Sequence, residues 1–110
     1  MDEMLLVYTT WPDAETAQAA AEAAIEAGLA ACANILAPMR SIYGWNGRVE
    51  RQTEIPMLFK TRRARTHALR DLILALHPYD TPCVIVLPLI EDGSNPEFLN
   101  WIKQLTNSEQ

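Results

Sequence analysis

The sequence contains only two cysteines among its 110 residues, Cys32 and Cys83, and they lie far apart along the chain. They form no Cys-x-x-Cys pair of the kind used in redox and zinc sites. Small secreted domains, by contrast, are often rich in disulfides. The scarcity of cysteine therefore predicts a reducing, cytoplasmic location.

Long apolar runs and basic charge are also lacking. No stretch approaches the roughly 20 apolar residues that a membrane span requires. The opening residues, MDEMLLVYTTWPD, place acidic residues before a short apolar run, which is the reverse of a signal peptide. The net charge of −5 argues against nucleic acid as a partner, and we interpret the arginines at 62, 63, 65 and 70 as a solvated helix face.

The composition is that of an ordinary globular domain, with 49 % apolar and 21 % charged residues. The length fits a single domain spanning residues 1–110. A domain of this size buries only about two-thirds of its unfolded surface.

The first 28 residues predict a strand followed by a helix. Residues 4–10, MLLVYTT, are apolar on both faces, as in a buried central strand. Asp13 is a suitable N-cap and Gly28 a suitable stop for the helix between them. The apolar positions at helical spacing are Ala17, Ala20, Ala21, Ala24 and Ile25.

A long β-hairpin is predicted next. Residues 29–45 resemble one long strand interrupted at Pro38, where we expect a bulge. Asn46-Gly47 is a strong hairpin-turn signal, and the returning strand runs from Arg48 to about Thr61. On that strand Val49, Ile55, Met57 and Phe59 share one face, and Glu50, Gln52, Glu54 and Lys60 share the other.

The second half predicts helix, strand and helix. His77-Pro78 ends a helix, because a residue before proline avoids helical angles. The strand CVIVLPLI follows and is again apolar on both faces, and Asn95-Pro96 signals the start of a C-terminal helix. The apolar faces of the two helices comprise Leu69, Leu72, Ile73 and Leu76, and Phe98, Leu99, Ile102 and Leu105.

The resulting order, β-α-β-β-α-β with an added helix, predicts an α+β fold of the ferredoxin-like type with strand order 4-1-3-2. Its first and last strands are apolar on both faces, so the sheet face opposite the two helices must also be covered. The hairpin arms are about 15 residues each, or roughly 50 Å, longer than two such helices can cover. An apolar sheet with long free edges would aggregate as a monomer, so we expect a homo-oligomer.

Several well-spaced motifs together resemble the CutA family of divalent-cation-tolerance proteins. They are YTTWPD (8–13), AACANI (30–35), SIYGWNGRVE (41–50), the stretch from Glu54 through LFKT (54–61), HPYDTP (77–82) and FLNWI (98–102). The resemblance runs nearly end to end. It implies a ferredoxin-like subunit, a tight homotrimer similar to PII signalling proteins, and a link to copper or another divalent cation. It implies no organic cofactor and no demonstrated reaction, so we do not expect an enzyme.

Two other functions remain open. A PII-like trimer that senses a small molecule, or acts as a scaffold, requires no physiological metal. An acylphosphatase-like enzyme ranks lower, because it needs an arginine in an anion-binding loop after the first strand, where this chain has TTWPD.

The segment HPYDTPC contains three types of metal ligand, His77, Asp80 and Cys83. Its prolines and Asp-Thr-Pro sequence favour a turn over a metal site within one chain. His77 is the candidate that the resemblance offers for a metal contact between subunits. The thiols of Cys32 and Cys83 are further candidate ligands, although packing as small apolar side chains is the favoured role of both. Their strands lie at opposite edges of one sheet, so the two thiols could approach each other only across a subunit boundary.

Aromatic residues with one acid and one base form the last candidate group. They fit interface packing or a cleft between subunits, where Lys60 would bind an anion and a tryptophan would stack on a ligand. The group comprises Tyr43, Trp45, Glu54, Lys60, Tyr79 and Trp101.

Overall fold

The computed structural model describes residues 3–107. It contains five strands and three helices in the predicted order, and the strands form one sheet in the order β2-β4-β1-β5, with β3 also paired to β4. This confirms the ferredoxin-like α+β fold with its added C-terminal helix. The elements are β1 (Met4–Trp11), α1 (Ala14–Glu26), β2 (Cys32–Ile35), β3 (Met39–Trp45), β4 (Arg48–Arg62), α2 (Thr66–Leu76), β5 (Val84–Pro88) and α3 (Pro96–Leu105).

Both ends of α1 follow from local chemistry. The Asp13 carboxylate accepts a hydrogen bond from the Thr16 backbone N–H at 2.8 Å, as an N-cap does. Gly28 has a φ of +72°, and Leu29 N–H donates to the Ala24 carbonyl at 2.9 Å, which closes the helix in a Schellman motif. The predicted alanine positions are buried, but Ile25 is exposed, because only a narrow stripe of this alanine helix contacts the sheet.

The main core lies between one face of the sheet and helices α1 and α2. Odd-numbered residues of β1 and β4 point into it, as predicted for Ile55, Met57 and Phe59. Val49, predicted on the same face, is exposed, because the first half of β4 extends past the helices. The predicted apolar face of α2 is buried at Leu69 and Ile73 but not at Leu76.

Helix α3 covers part of the opposite face of the sheet. Its Ile102 is buried with Met4 and Ala31, and Leu89 and Leu99 pack against this cluster. Phe98 and Leu105, which we predicted on the apolar face, are exposed. One short helix therefore covers only one end of the second face. No helix within residues 3–107 is long and apolar enough to cross a membrane.

The first hairpin arm is two strands rather than one long strand. Residues 29–31 precede β2, and residues 36–38 separate β2 from β3. Ile35 lies opposite Met57, whereas Met39 lies opposite Glu54, so four steps along this arm match three along β4. The arm thus gains one residue beside Pro38, which is the predicted bulge.

The hairpin turn has the predicted geometry. Asn46 and Gly47 have φ values of 52° and 74°, as a type I′ turn requires. Beyond the bulge, directly opposed residues share a face, so Tyr43 and Trp45 point to the same side as Glu50 and Arg48.

The arginine cluster is not a helix face, so that prediction was wrong. Arg62 ends β4, and Arg63 and Arg65 belong to a short 3-10 turn. Arg63 forms an ion pair with Glu3, and Arg65 Nε donates to the Thr106 carbonyl at 3.0 Å. Of the four arginines, Arg70 alone lies on an α-helix. These arginines instead help to tie the end of β4 to neighbouring segments.

Candidate functional site

The larger of the two cavities described here lies on the sheet face opposite α1 and α2, between the β3–β4 hairpin and the turn after α2. Its volume is about 380 Å³. It is lined by Thr10, Tyr43, Trp45, Gln52, Glu54, Tyr79, Asp80, Thr81 and Cys83.

His77 holds the turn against β1. The imidazole is buried, its Nε2 donates to the Thr10 carbonyl at 2.7 Å, and its Nδ1 accepts from the Tyr79 backbone N–H at 3.1 Å. The ring stacks on Trp11 with centroids 4.3 Å apart. The segment HPYDTP is therefore a turn, as predicted. A metal contact by His77, a prediction from the resemblance, would require one of these hydrogen bonds to break.

A chain of hydrogen bonds connects the hairpin to this turn. Tyr43 Oη donates to Gln52 Oε1 at 2.8 Å, and Gln52 Nε2 donates to Tyr79 Oη at 2.8 Å. Tyr79 Oη in turn donates to Glu54 Oε2 at 3.1 Å. All three bonds are oriented toward the Glu54 carboxylate, which is only 8 % exposed. Such a connected network fixes the wall of the cavity.

Burial and the Glu54 carboxylate raise the pKa of the Tyr79 phenol and of the Cys83 thiol, which makes their charged forms still scarcer at neutral pH. Burial raises the pKa of Tyr79, and its hydrogen bond to Glu54 raises that pKa further. Burial likewise raises the pKa of the Cys83 thiol, Glu54 adds to this effect, and a hydrogen bond with Thr10 opposes it. The cavity therefore contains a neutral thiol and a neutral phenol beside one buried carboxylate.

We expect Cys83 to react slowly with iodoacetamide at neutral pH, because the reactive thiolate is scarce when the pKa is raised. Glu54→Gln should accelerate the reaction by less than about tenfold, since burial is the larger cause of the shift. Peptide-level mass spectrometry would measure the rate, with Cys32 as the internal reference. An unchanged Cys83 rate in the variant would contradict the assigned influence of Glu54.

The structure brings together four of the six residues predicted for the cleft, namely Tyr43, Trp45, Glu54 and Tyr79. Lys60 lies six positions further along β4 than Glu54, or about 20 Å at the usual rise per residue. It lines the second cavity, of about 300 Å³, and its Nζ is 5.3 Å from the centroid of the Phe98 ring. Trp101 packs on that same ring. Within one chain, Lys60 and Trp101 therefore belong to a separate region.

The two cysteines are free thiols in different places. Cys32 lies in edge strand β2 opposite Lys60, whereas Cys83 borders the larger cavity just before β5. Strands β2 and β5 occupy opposite ends of the strand order, as predicted. Within residues 3–107 no three His, Cys, Asp or Glu side chains form a group that could hold a metal ion.

Three important residues were not singled out from the sequence. Gln52 was placed only on the polar face of its strand. The signal that could have identified it is its position two residues before Glu54, which puts both side chains on the same face. Thr10 contributes its carbonyl to His77, and backbone contacts of this kind leave no sequence signal. Trp11 is fully buried and donates from Nε1 to Thr9 Oγ1 at 2.7 Å.

Comparisons with known proteins cover nearly the whole chain. The family model described as CutA1 divalent ion tolerance protein matches residues 5–105. The divalent-cation tolerance protein CutA of Archaeoglobus fulgidus is 42 % identical over 98 residues, which are 89 % of this chain and 93 % of that protein. Mouse protein CutA is 39 % identical over 101 residues, but this chain spans only 56 % of its length.

Solved structures agree with the sequence comparison. CutA1 from the psychrotrophic bacterium Shewanella sp. SIB1 has a TM-score of 0.91 and 39 % identity, covering 96 % of this chain and 97 % of that one. The Archaeoglobus fulgidus structure, described as a periplasmic divalent cation tolerance protein, has a TM-score of 0.90 and 36 % identity, covering 94 % and 99 %. The motifs, the fold and these similarities agree, and the chain belongs to the CutA1 family of divalent ion tolerance proteins.

Proposed function

We propose that this protein acts as a homotrimer in divalent-cation tolerance and holds a metal ion or a small ligand between its subunits, without catalysing a reaction. The names of its relatives specify divalent-cation tolerance and no chemical reaction. We also propose a cytoplasmic location, supported by the sparse cysteines, although the Archaeoglobus fulgidus relative is described as periplasmic.

The observation that supports assembly most strongly is the apolar surface of one chain. Ile85 on edge strand β5 is 51 % exposed, and Val86 and Leu87 beside it are exposed as well. On the hairpin, Trp45 and Val49 are also exposed. In the described chain β5 pairs only with β1, so its other edge is open. Contact with further copies would cover these groups, and the family resemblance implies three subunits.

The proposed metal site uses Cys83 and Glu54, with additional ligands from a neighbouring subunit. A thiolate beside a carboxylate suits copper or another divalent cation. The thiol must lose its proton to bind, so its raised pKa weakens binding at neutral pH. Cys32 would contribute only across a subunit boundary. His77 is the weakest candidate because both of its ring nitrogens are already hydrogen-bonded.

Native mass spectrometry of protein purified without added metal, and again after addition of Cu²⁺, would test this proposal. We expect the mass of three 12.4 kDa chains, and copper retention that Cys83→Ser reduces. The matched control, Cys32→Ser, identifies which thiol binds. A folded monomer would contradict the trimer, and equal copper retention in Cys83→Ser and wild type would contradict the metal site.

Sensing of a small molecule is the second candidate function. The observation that favours it is the larger cavity, which aromatic rings line and a hydrogen-bond network shapes. A bare ion does not need aromatic walls, whereas organic ligands commonly bind in apolar cavities that contain a few fixed polar groups.

A further inference from the structure

The charged and aromatic residues around the larger cavity favour one sign of ligand charge. Among its described lining residues, the charged side chains are the acids Glu54 and Asp80, and none is a lysine or an arginine. Three aromatic residues, Tyr43, Trp45 and Tyr79, line the same space. Aromatic faces attract cations through their quadrupole. An anionic ligand would therefore meet repulsion here and a cationic one attraction.

Glu54 provides the carboxylate with which a cationic ligand would pair. It is more than nine-tenths buried, with 8 % of its surface exposed, and it borders the cavity. Within residues 3–107 the only hydrogen bond to its carboxylate comes from Tyr79 Oη to Oε2, and neither of the ion pairs described there includes Glu54. The second carboxylate oxygen is therefore available to a charged ligand. Pairing with a cation would also offset the free-energy cost of burying the carboxylate.

The size of the cavity favours an organic cation over a bare ion. Its volume of about 380 Å³ lies within the roughly 300–1,000 Å³ typical of small-molecule sites. Alkyl groups attached to a charged nitrogen can fill the remaining space against the aromatic rings.

We infer that this cavity binds an organic ammonium ion, with Glu54 pairing the charged nitrogen and Tyr43, Trp45 and Tyr79 packing around its alkyl groups. The inference rests on the ligand-sensing candidate above and specifies the chemical class of the ligand. Asp80, exposed at the mouth of the cavity, adds attraction at longer range.

Isothermal titration calorimetry on the assembled, metal-free protein would test it with three probes. These are choline, ethanolamine, and dimethylbutanol, in which carbon replaces the ammonium nitrogen of choline. We expect choline or ethanolamine to bind at least about tenfold more tightly than dimethylbutanol. Comparing the affinities for choline and ethanolamine would show whether the cavity prefers a quaternary ammonium ion or a protonated primary amine.

Glu54→Gln should reduce ammonium binding by about tenfold or more, because the amide keeps an acceptor for Tyr79 but carries no charge. Glu50→Gln removes a carboxylate from the same strand outside the cavity lining and should leave binding unchanged. Equal binding of choline, ethanolamine and dimethylbutanol by wild type, or no binding at millimolar concentration, would overturn the inference. A crystal structure with a neighbour's lysine or arginine paired to Glu54 would also overturn it. Equal or absent ammonium binding leaves the outcomes of the mass-spectrometric test of trimer and copper unchanged.

Discussion

Replacing Trp11 with alanine is expected to lower the free energy of unfolding by about 3–5 kcal/mol, the usual cost of removing a large buried aromatic side chain. Trp11 is fully buried in the core between the sheet and the helices. Its indole N–H donates to Thr9 Oγ1, which donates to the Met57 carbonyl at 2.9 Å. The substitution therefore leaves a cavity and also removes a buried hydrogen bond.

The same substitution should loosen the turn at residues 77–83, because Trp11 supports the His77 ring that holds Thr10 and Tyr79. Chemical denaturation at a fixed protein concentration would measure stability, and hydrogen exchange at the Tyr79 amide would report on the turn. The matched control is Trp101→Ala, which removes the same side chain from a partly exposed position. Equal losses in the two variants would contradict the central role of Trp11.

Replacing Trp45 with alanine is expected to weaken assembly while leaving the secondary structure intact. Trp45 lies beside the hairpin turn and is 57 % exposed in a single chain. Burial of a large apolar side chain against a neighbour contributes on the order of 1.5–3 kcal/mol, and the closed ring of three subunits that we propose would repeat that contact three times. The variant should therefore dissociate at higher protein concentration and melt at a lower temperature.

Sedimentation across a dilution series and circular dichroism during heating would measure the two effects. Glu50→Ala on the same face of the hairpin is the control and should change little, because it removes a charged side chain rather than a large apolar one. If both variants remain trimeric at high dilution and melt like wild type, the hairpin is not an assembly element. Trp45 would then act only as a wall of the ligand cavity.

Local patterns in the sequence predicted most of the fold. Asp13, Gly28 and Asn46-Gly47 set the ends of α1 and the hairpin turn through their own backbone and side-chain chemistry. Alternation along β4 correctly separated buried Met57 and Phe59 from the residues on the other face. These features depend on neighbours a few residues away, which the sequence displays directly.

Features that depend on distance in space were less predictable. Placing Lys60 with Glu54 on one strand face was correct, but the six residues between them put the two side chains in different cavities. The role of His77 depends on a carbonyl 67 residues away in the chain. Its hydrogen bonds and its stacking on Trp11 arise only when β1 and the turn meet, so no local motif could indicate them.

The bulge beside Pro38 makes the chemistry of the cavity depend on strand register. If the bulge were absent and the register of β2 continued through the same residues into β3, the pairing of β3 with β4 would shift by one residue. Ile42 and Gly44 would then lie opposite Glu50 and Arg48, where Tyr43 and Trp45 now lie. Such a register shift would exchange two aromatic walls for an aliphatic group and a bare backbone while every residue of the site remained in the sequence. The bulge therefore determines, together with the identity of the residues, which side chains of β3 face the cavity.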